Sequence, residues 1–268
     1  MDIPLLSMVV SSQPDYLNLS LRQQHTHIMN KLDNKIALLL GGAGNVGEGI
    51  VRAFLKAGAI VTVPSRKAEK LEELRTYLGE LAHPERFIPI VGDIGTVDSA
   101  ESIRDQLLQQ FGKLDAVVAS LGGWWSGNKP VTEVSITEWQ QYIDSNLTSH
   151  FIAARTFIPV LKEHKDTSYT LIGGAAAEIP IPNVSPVSIT AAGQLMLAQV
   201  LMQENKGSAI RINEVVVHSW VATRSSRERS QPTWVSADDI GEFTAWLASD
   251  AASMVNSSVL RLYEKAVA

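Results

Sequence analysis

Short unbroken apolar runs alternate with longer stretches whose apolar positions recur every three to four residues, and the alternation runs from Lys35 towards the C-terminus. The run at 36–40 is apolar throughout, the pattern of a strand covered on both faces. Within 47–57, Ile50, Val51, Phe54 and Leu55 fall at helical spacing, and Gly58 supplies a stop. The same criteria predict strands at 60–63, 87–91, 116–119, 170–172, 210–217 and 259–262, and helices at 68–81, 97–111, 136–163, 189–203 and 237–248. Repeated strand–helix units imply an α/β fold with a parallel sheet and right-handed crossovers. No repeat interrupts the pattern; only 222–233, polar and rich in Ser and Arg, reads as a loop insertion. Residues 35–268 are thus expected to form one domain.

Residues 1–34 fall outside the pattern and are expected to be a poorly ordered extension. The apolar stretch at 3–10 contains Pro4 and follows Asp2. It lacks the basic region and small-residue cleavage site of a signal peptide. Met1 and Met29 are alternative translation starts.

Composition narrows the function classes. The 268 residues carry 23 Lys plus Arg against 28 Asp plus Glu, a net charge of −5, with no basic run to meet a polyanion. Nucleic acid is therefore not an expected partner. With no Cys, disulfides, thiol nucleophiles and Cys-ligated zinc are excluded. A reducing cytoplasm is the expected location. No apolar run approaches the roughly 20 residues that span a bilayer, so no membrane is expected either.

The first strand runs into Gly41-Gly42-Ala43-Gly44-Asn45-Val46-Gly47 and then a helix. Glycines at 41, 44 and 47 allow a tight turn, close approach to a pyrophosphate and tight helix packing. A Gly-rich stretch in that position is a dinucleotide signature, with the phosphates on the helix N-terminus. It makes the fold a Rossmann-type doubly wound sheet with helices on both faces. The second strand ends at Ser65-Arg66 with no acid to hold a ribose 2′-OH. Ser65 and Arg66 suit a 2′-phosphate instead, so NADP(H) is expected over NAD(H).

From Lys35 onward the chain resembles the short-chain dehydrogenase/reductase family. Residues 40–47 are similar to that family's Thr-Gly-x-x-Gly-Asn-x-Gly variant, with Leu40 in place of Thr. Asp93-Ile94 resembles its adenine-contacting pair, and Gly122 is what survives of its Asn-Asn-Ala-Gly segment. Asp144-Ser145-Asn146-Leu147 resembles the helix carrying its catalytic-site Asn, which puts Asn146 in that role. The last helix, with Ala237-Asp238-Asp239-Ile240, also matches. The resemblance implies an oxidoreductase that forms a homodimer or homotetramer through helices 136–163 and 189–203. The second of these carries Leu195, Met196, Leu197, Val200, Leu201 and Met202, more apolar surface than one stripe needs.

The family's carbonyl-reducing groups are missing. Alignment puts Gly174 at its Ser, Val187 at its Tyr and Ala191 at its Lys, and no Tyr or Lys occurs between Thr170 and Asn205. Losing a general acid costs about 10²–10⁴ in rate, and losing an oxyanion donor about 10²–10³. His218, after the sixth strand, is the best replacement acid, with a reference pKa of about 6.5. A non-catalytic loop histidine is the blander alternative.

Trp124 and Trp125 follow the fourth strand and are candidates for a pocket wall, against a plain core role. Ser188 and Thr190 flank the missing pair and are able to hydrogen-bond a ligand. Glu178 reads more readily as a solvated loop carboxylate than as a base, and His150 as a packing or surface residue. No cluster has metal-ligand spacing. Three functions stay open: an NADP(H)-dependent oxidoreductase with altered acid–base groups, an inactive NADP(H)-binding or structural subunit, and a non-redox dehydratase or isomerase.

Overall fold

The computed structural model describes residues 32–266. The expected extension lies outside them apart from its last three residues. Leu32 is fully buried in the core and its N–H donates to the Ala57 carbonyl at 2.9 Å. The fold therefore begins before Lys35.

Seven parallel strands form one sheet. They are β1 (Ile36–Leu40), β2 (Ile60–Ser65), β3 (Phe87–Val91), β4 (Ala116–Ala119), β5 (Ser168–Gly174), β6 (Arg211–His218) and β9 (Ser258–Tyr263), in the order β3-β2-β1-β4-β5-β6-β9. A separate two-strand pair, β7 (Val221–Ala222) with β8 (Val235–Ser236), brackets the expected loop insertion. The helices are α1 (Gly47–Lys56), α2 (Ala68–Leu78), α3 (Val97–Phe111), α4 (Ile136–Ile143), α5 (Ser149–Lys162), α6 (Ser185–Glu204) and α7 (Ala237–Ala248).

The unbroken apolar run of β1 has a direct structural reason. Ala37 and Leu39 face a core shared with α1, α2 and α7, through Ile50, Phe54, Leu74 and Ile240. Leu38 and Leu40 face the opposite core, shared with α3, α5 and α6, through Leu107, Phe157 and Met202. Alternate residues thus serve opposite layers, and neither face has room for a polar position.

Two of the expected helices differ from the sequence pattern. The expected helix 136–163 is two helices joined by a π-helical turn, Asp144–Thr148. One extra residue per turn is hidden from a 3.6-residue pattern, and such turns gather at functional sites. Helix α6 starts at Ser185, four residues before the expected 189, because Pro186 fits the first helical turn where no N–H is needed. By length and composition α6 is also able to cross a membrane. Here it packs on the sheet, burying Val187, Gln194, Leu195, Ala198 and Met202. Helices α1 and α7 meet at Gly49 and Gly241. A Cβ on Gly49 would strike the Ala237 carbonyl group, and one on Gly241 the Gly49 carbonyl.

Candidate functional site

The C-terminal ends of β1, β4, β5 and β6 define the cleft. At its centre the Gly44 N–H donates to the Gly41 carbonyl at 2.9 Å, and the Glu48 N–H to the Gly44 carbonyl at 2.9 Å. The N–H groups of Asn45 and Val46 make no hydrogen bond among the described residues. They sit at the start of α1, where unpaired donors and the helix dipole favour an anion. Gly41 is at φ +78° with its Cα against the Ser120 carbonyl, so the first glycine sets the turn. The segment between β7 and β8 lies over this loop: Ser225 Oγ donates to Asn45 Oδ1 at 3.2 Å, and Arg224 pairs with Glu48 at 3.1 Å. Burial pushes the Glu48 carboxyl up, and Arg224 opposes that shift.

At the end of β2, Arg66 is exposed and makes no ion pair among the described residues. Ser65 is less free than expected: its Oγ accepts from the Lys67 N–H at 3.3 Å and donates to the Lys67 carbonyl at 3.2 Å. Asp93 closes a turn, with Oδ1 accepting from the Gly95 N–H at 2.9 Å, and Ile94 packs against the core edge.

Around the missing groups the arrangement is apolar. Val187 is buried with Trp125, Ala176 and Val184, and Ala191 packs on the same cluster. Trp125 packs in this cluster and is 5% exposed, whereas Trp124 is 57% exposed. Gly174 stands beside open space. Ser188 Oγ is buried without a partner among the described residues. Thr190 is not available to a ligand, because its hydroxyl donates back to the Pro186 carbonyl at 2.6 Å.

Asn146, in the π-helical turn, holds a loop. Its Oδ1 accepts from the Gly123 N–H at 3.1 Å and its Nδ2 donates to the Gly123 carbonyl at 2.9 Å. Neighbouring Gly122, at φ +94°, leaves the space that the Asn146 side chain fills. His150 is a packing residue: it is fully buried, burial pulls its pKa down to about 4, and Nε2 lies 3.4 Å from the Leu121 carbonyl.

Glu178 is an exposed loop carboxylate held in an ion-pair cluster. His218 Nε2 lies 2.6 Å from Glu178 Oε2, and Arg261 donates from Nε to that same oxygen at 2.9 Å. Hydrogen bonds from Arg261 chiefly, and then His218, hold the Glu178 carboxyl down at about 2. The Tyr263 ring lies 5.1 Å from that of His218. Arg261 and Tyr263 escaped the sequence reading. The signal was the pairing of the last strand with β6, whose register sets His218 beside Tyr263.

A second missed group is Glu214, fully buried in β6. Gln194 Nε2 donates to its Oε1 at 3.1 Å, while Glu214 Oε2 and the Tyr169 hydroxyl have no partner among the described residues. Burial raises its pKa to about 8, and the Gln194 bond opposes this. The signal in the sequence was a carboxylate leading directly into the apolar run Val215–Val217 of a strand covered on both faces.

A doubly wound sheet with an open-donor glycine loop at its switch point defines a dinucleotide-binding α/β protein. A family model for short chain dehydrogenases matches residues 35–233. The chain belongs to that family, whose members are oxidoreductases that use a nicotinamide cofactor. It is 25% identical to an uncharacterized oxidoreductase, YvrD, of Bacillus subtilis over 258 residues, 87% of this chain and 96% of that one. The D-threitol dehydrogenase of Mycolicibacterium smegmatis is also 25% identical, over 86% and 92% of the two chains. Among solved structures, a short-chain dehydrogenase/reductase from Brucella melitensis superposes with a TM-score of 0.76 at 24% identity, covering 87% of this chain and 96% of its own. At that identity the likeness speaks for the fold alone.

Proposed function

We propose that the protein is an NADP(H)-dependent oxidoreductase acting on a small molecule, with His218 as its proton-carrying group in place of the family's Tyr. The observation that carries this reading is the pair of free N–H groups at Asn45 and Val46, with unpaired Arg66 at the end of β2. The first suits a pyrophosphate and the second a 2′-phosphate. The nicotinamide would supply the hydride. Gly41, Gly44, Asn45, Val46, Gly47, Ser65, Arg66, Asp93, Ile94 and Gly122 would hold the dinucleotide. Glu178 accepts at Nε2 of His218 and so fixes the ring, leaving Nδ1 to carry a proton.

Titration followed by the fluorescence of the reduced nicotinamide tests the cofactor. NADPH is expected to bind at least tenfold more tightly than NADH, and Arg66→Ala to remove that preference while leaving NADH unchanged. Failure of both to bind would sink the reading. Once a substrate is found, His218→Ala is expected to slow NADPH oxidation by about 10²-fold or more; an unchanged rate would take His218 out of the mechanism.

One observation favours a second reading. Val187 and Trp125 fill an apolar plug where the family places its acid, which suits a subunit that binds NADP(H) without turnover. Binding without oxidation across carbonyl panels would establish it. A homo-oligomer belongs to either reading, because Phe151 on α5 and Ile189, Met196 and Val200 on α6 are exposed.

A further inference from the structure

We infer that Trp124, Trp220 and Trp234 form a stacking platform for an uncharged, flat, conjugated ring compound. The inference names the class of the small molecule proposed above, and rests on that reading for the ligand's being a substrate.

Three indoles from separate segments converge here. Trp124 follows β4, Trp220 follows β6, and Trp234 precedes β8. The ring centroids of Trp124 and Trp220 are 6.4 Å apart at 58°, and those of Trp220 and Trp234 are 5.9 Å apart and stacked at 29°. The group therefore reaches from the end of β4 to that of β6, the strands on either side of β5 and its open Gly174. Trp124 and Trp220 are 57% and 65% exposed.

Hydrogen bonds fix the backbone that carries the rings. Asn146 holds Gly123 from both sides, and the Tyr142 hydroxyl donates to the Trp124 carbonyl at 3.3 Å. Ser219 Oγ donates to the Trp220 carbonyl at 2.7 Å and accepts from the Val235 N–H at 3.1 Å, tying the other two segments together. Rings on a backbone held this way lose little freedom when a ligand stacks on them.

The same bonds narrow the ligand. The side chains of Asn146, Tyr142 and Ser219 are committed to backbone, so they offer a polyol or sugar no hydrogen bonds beyond those it already makes with water. Beside His218, the Glu178 and Arg261 charges pair with each other, so that end of the platform offers no lone charge to an ionic ligand. Indole faces prefer offset or tilted stacking with another π-system. A planar conjugated carbonyl compound satisfies all three conditions.

Calorimetric titration of the full chain with 1,4-naphthoquinone, and with its fully saturated dione of equal ring size, tests this. The chain has no Cys, so thiol adducts cannot mimic binding. The quinone is expected to bind at least tenfold more tightly than the saturated dione. Trp220→Ala should reduce that preference to about twofold, while Trp220→Phe keeps most of it. Equal affinities, a preference unchanged in Trp220→Ala, or a change confined to the oligomeric state would each overturn the inference. The NADPH titration is read separately: cofactor binding without ring preference sinks the platform alone, whereas loss of cofactor binding sinks the reading beneath it.

Discussion

Glu214→Gln is expected to raise the melting temperature at pH 8 by about 10 °C, and to change little at pH 4.5. The Glu214 pKa is raised from 4.5 to about 8 by burial. Below pH 4.5 the folded and unfolded chains both hold the proton. Between there and about pH 8 the unfolded chain releases it while the folded chain must keep it, so stability falls with each pH unit. Above about pH 8 the loss is complete. A shift of that size corresponds to at most about 4–5 kcal/mol, and for a chain of this size each kcal/mol moves the midpoint by about 2–4 °C. Glutamine keeps an acceptor for Gln194 and has no proton to lose. Melting curves of the two proteins from pH 4.5 to 9 should therefore diverge upwards; parallel curves would show that Glu214 titrates normally.

Gly41→Ala is expected to abolish nucleotide binding, weakening it by at least 10²-fold, and to destabilise the fold by about 2–4 kcal/mol. Two effects combine. The residue is at φ +78°, and a methyl group would collide with the Ser120 carbonyl. That carbonyl belongs to the segment leaving β4, so relief of the clash must push apart the two strand ends that frame the cleft. Gly44→Ala is the contrasting variant, since its Cβ would meet only the Gly41 carbonyl at 3.2 Å. It should fold nearly normally and lose affinity more than stability. Denaturant melts and nucleotide titrations of both variants check the pair. Equal behaviour would mean that the loop tolerates displacement better than its geometry implies.

The layered fold was legible because its signal is local. Most strands of the sheet carry an apolar run, and most helices a periodic face that must be buried against it. The glycine loop was legible because turn, donor and helix start are contiguous. What escaped was non-local. Arg261 lies 83 residues from the carboxylate it binds, and only strand pairing brings them together. Trp124 and Trp125 are adjacent and alike in sequence, yet one is exposed and the other buried, a choice made by the path of the loop that Asn146 pins. The π-helical turn carrying Asn146 escaped because one added residue leaves the helical pattern readable on both sides.

The segment between β6 and α7 carries Trp220 near its start and Trp234 near its end, and between them rests Ser225 and Arg224 on the glycine loop. One stretch of chain is thus common to the ring platform and the phosphate cradle. Any preference that an occupant of one place has for a particular arrangement of this stretch must be returned by the other, with equal coupling free energy in both directions. The order in which two ligands arrive would alter the rates, but never the size of that mutual effect.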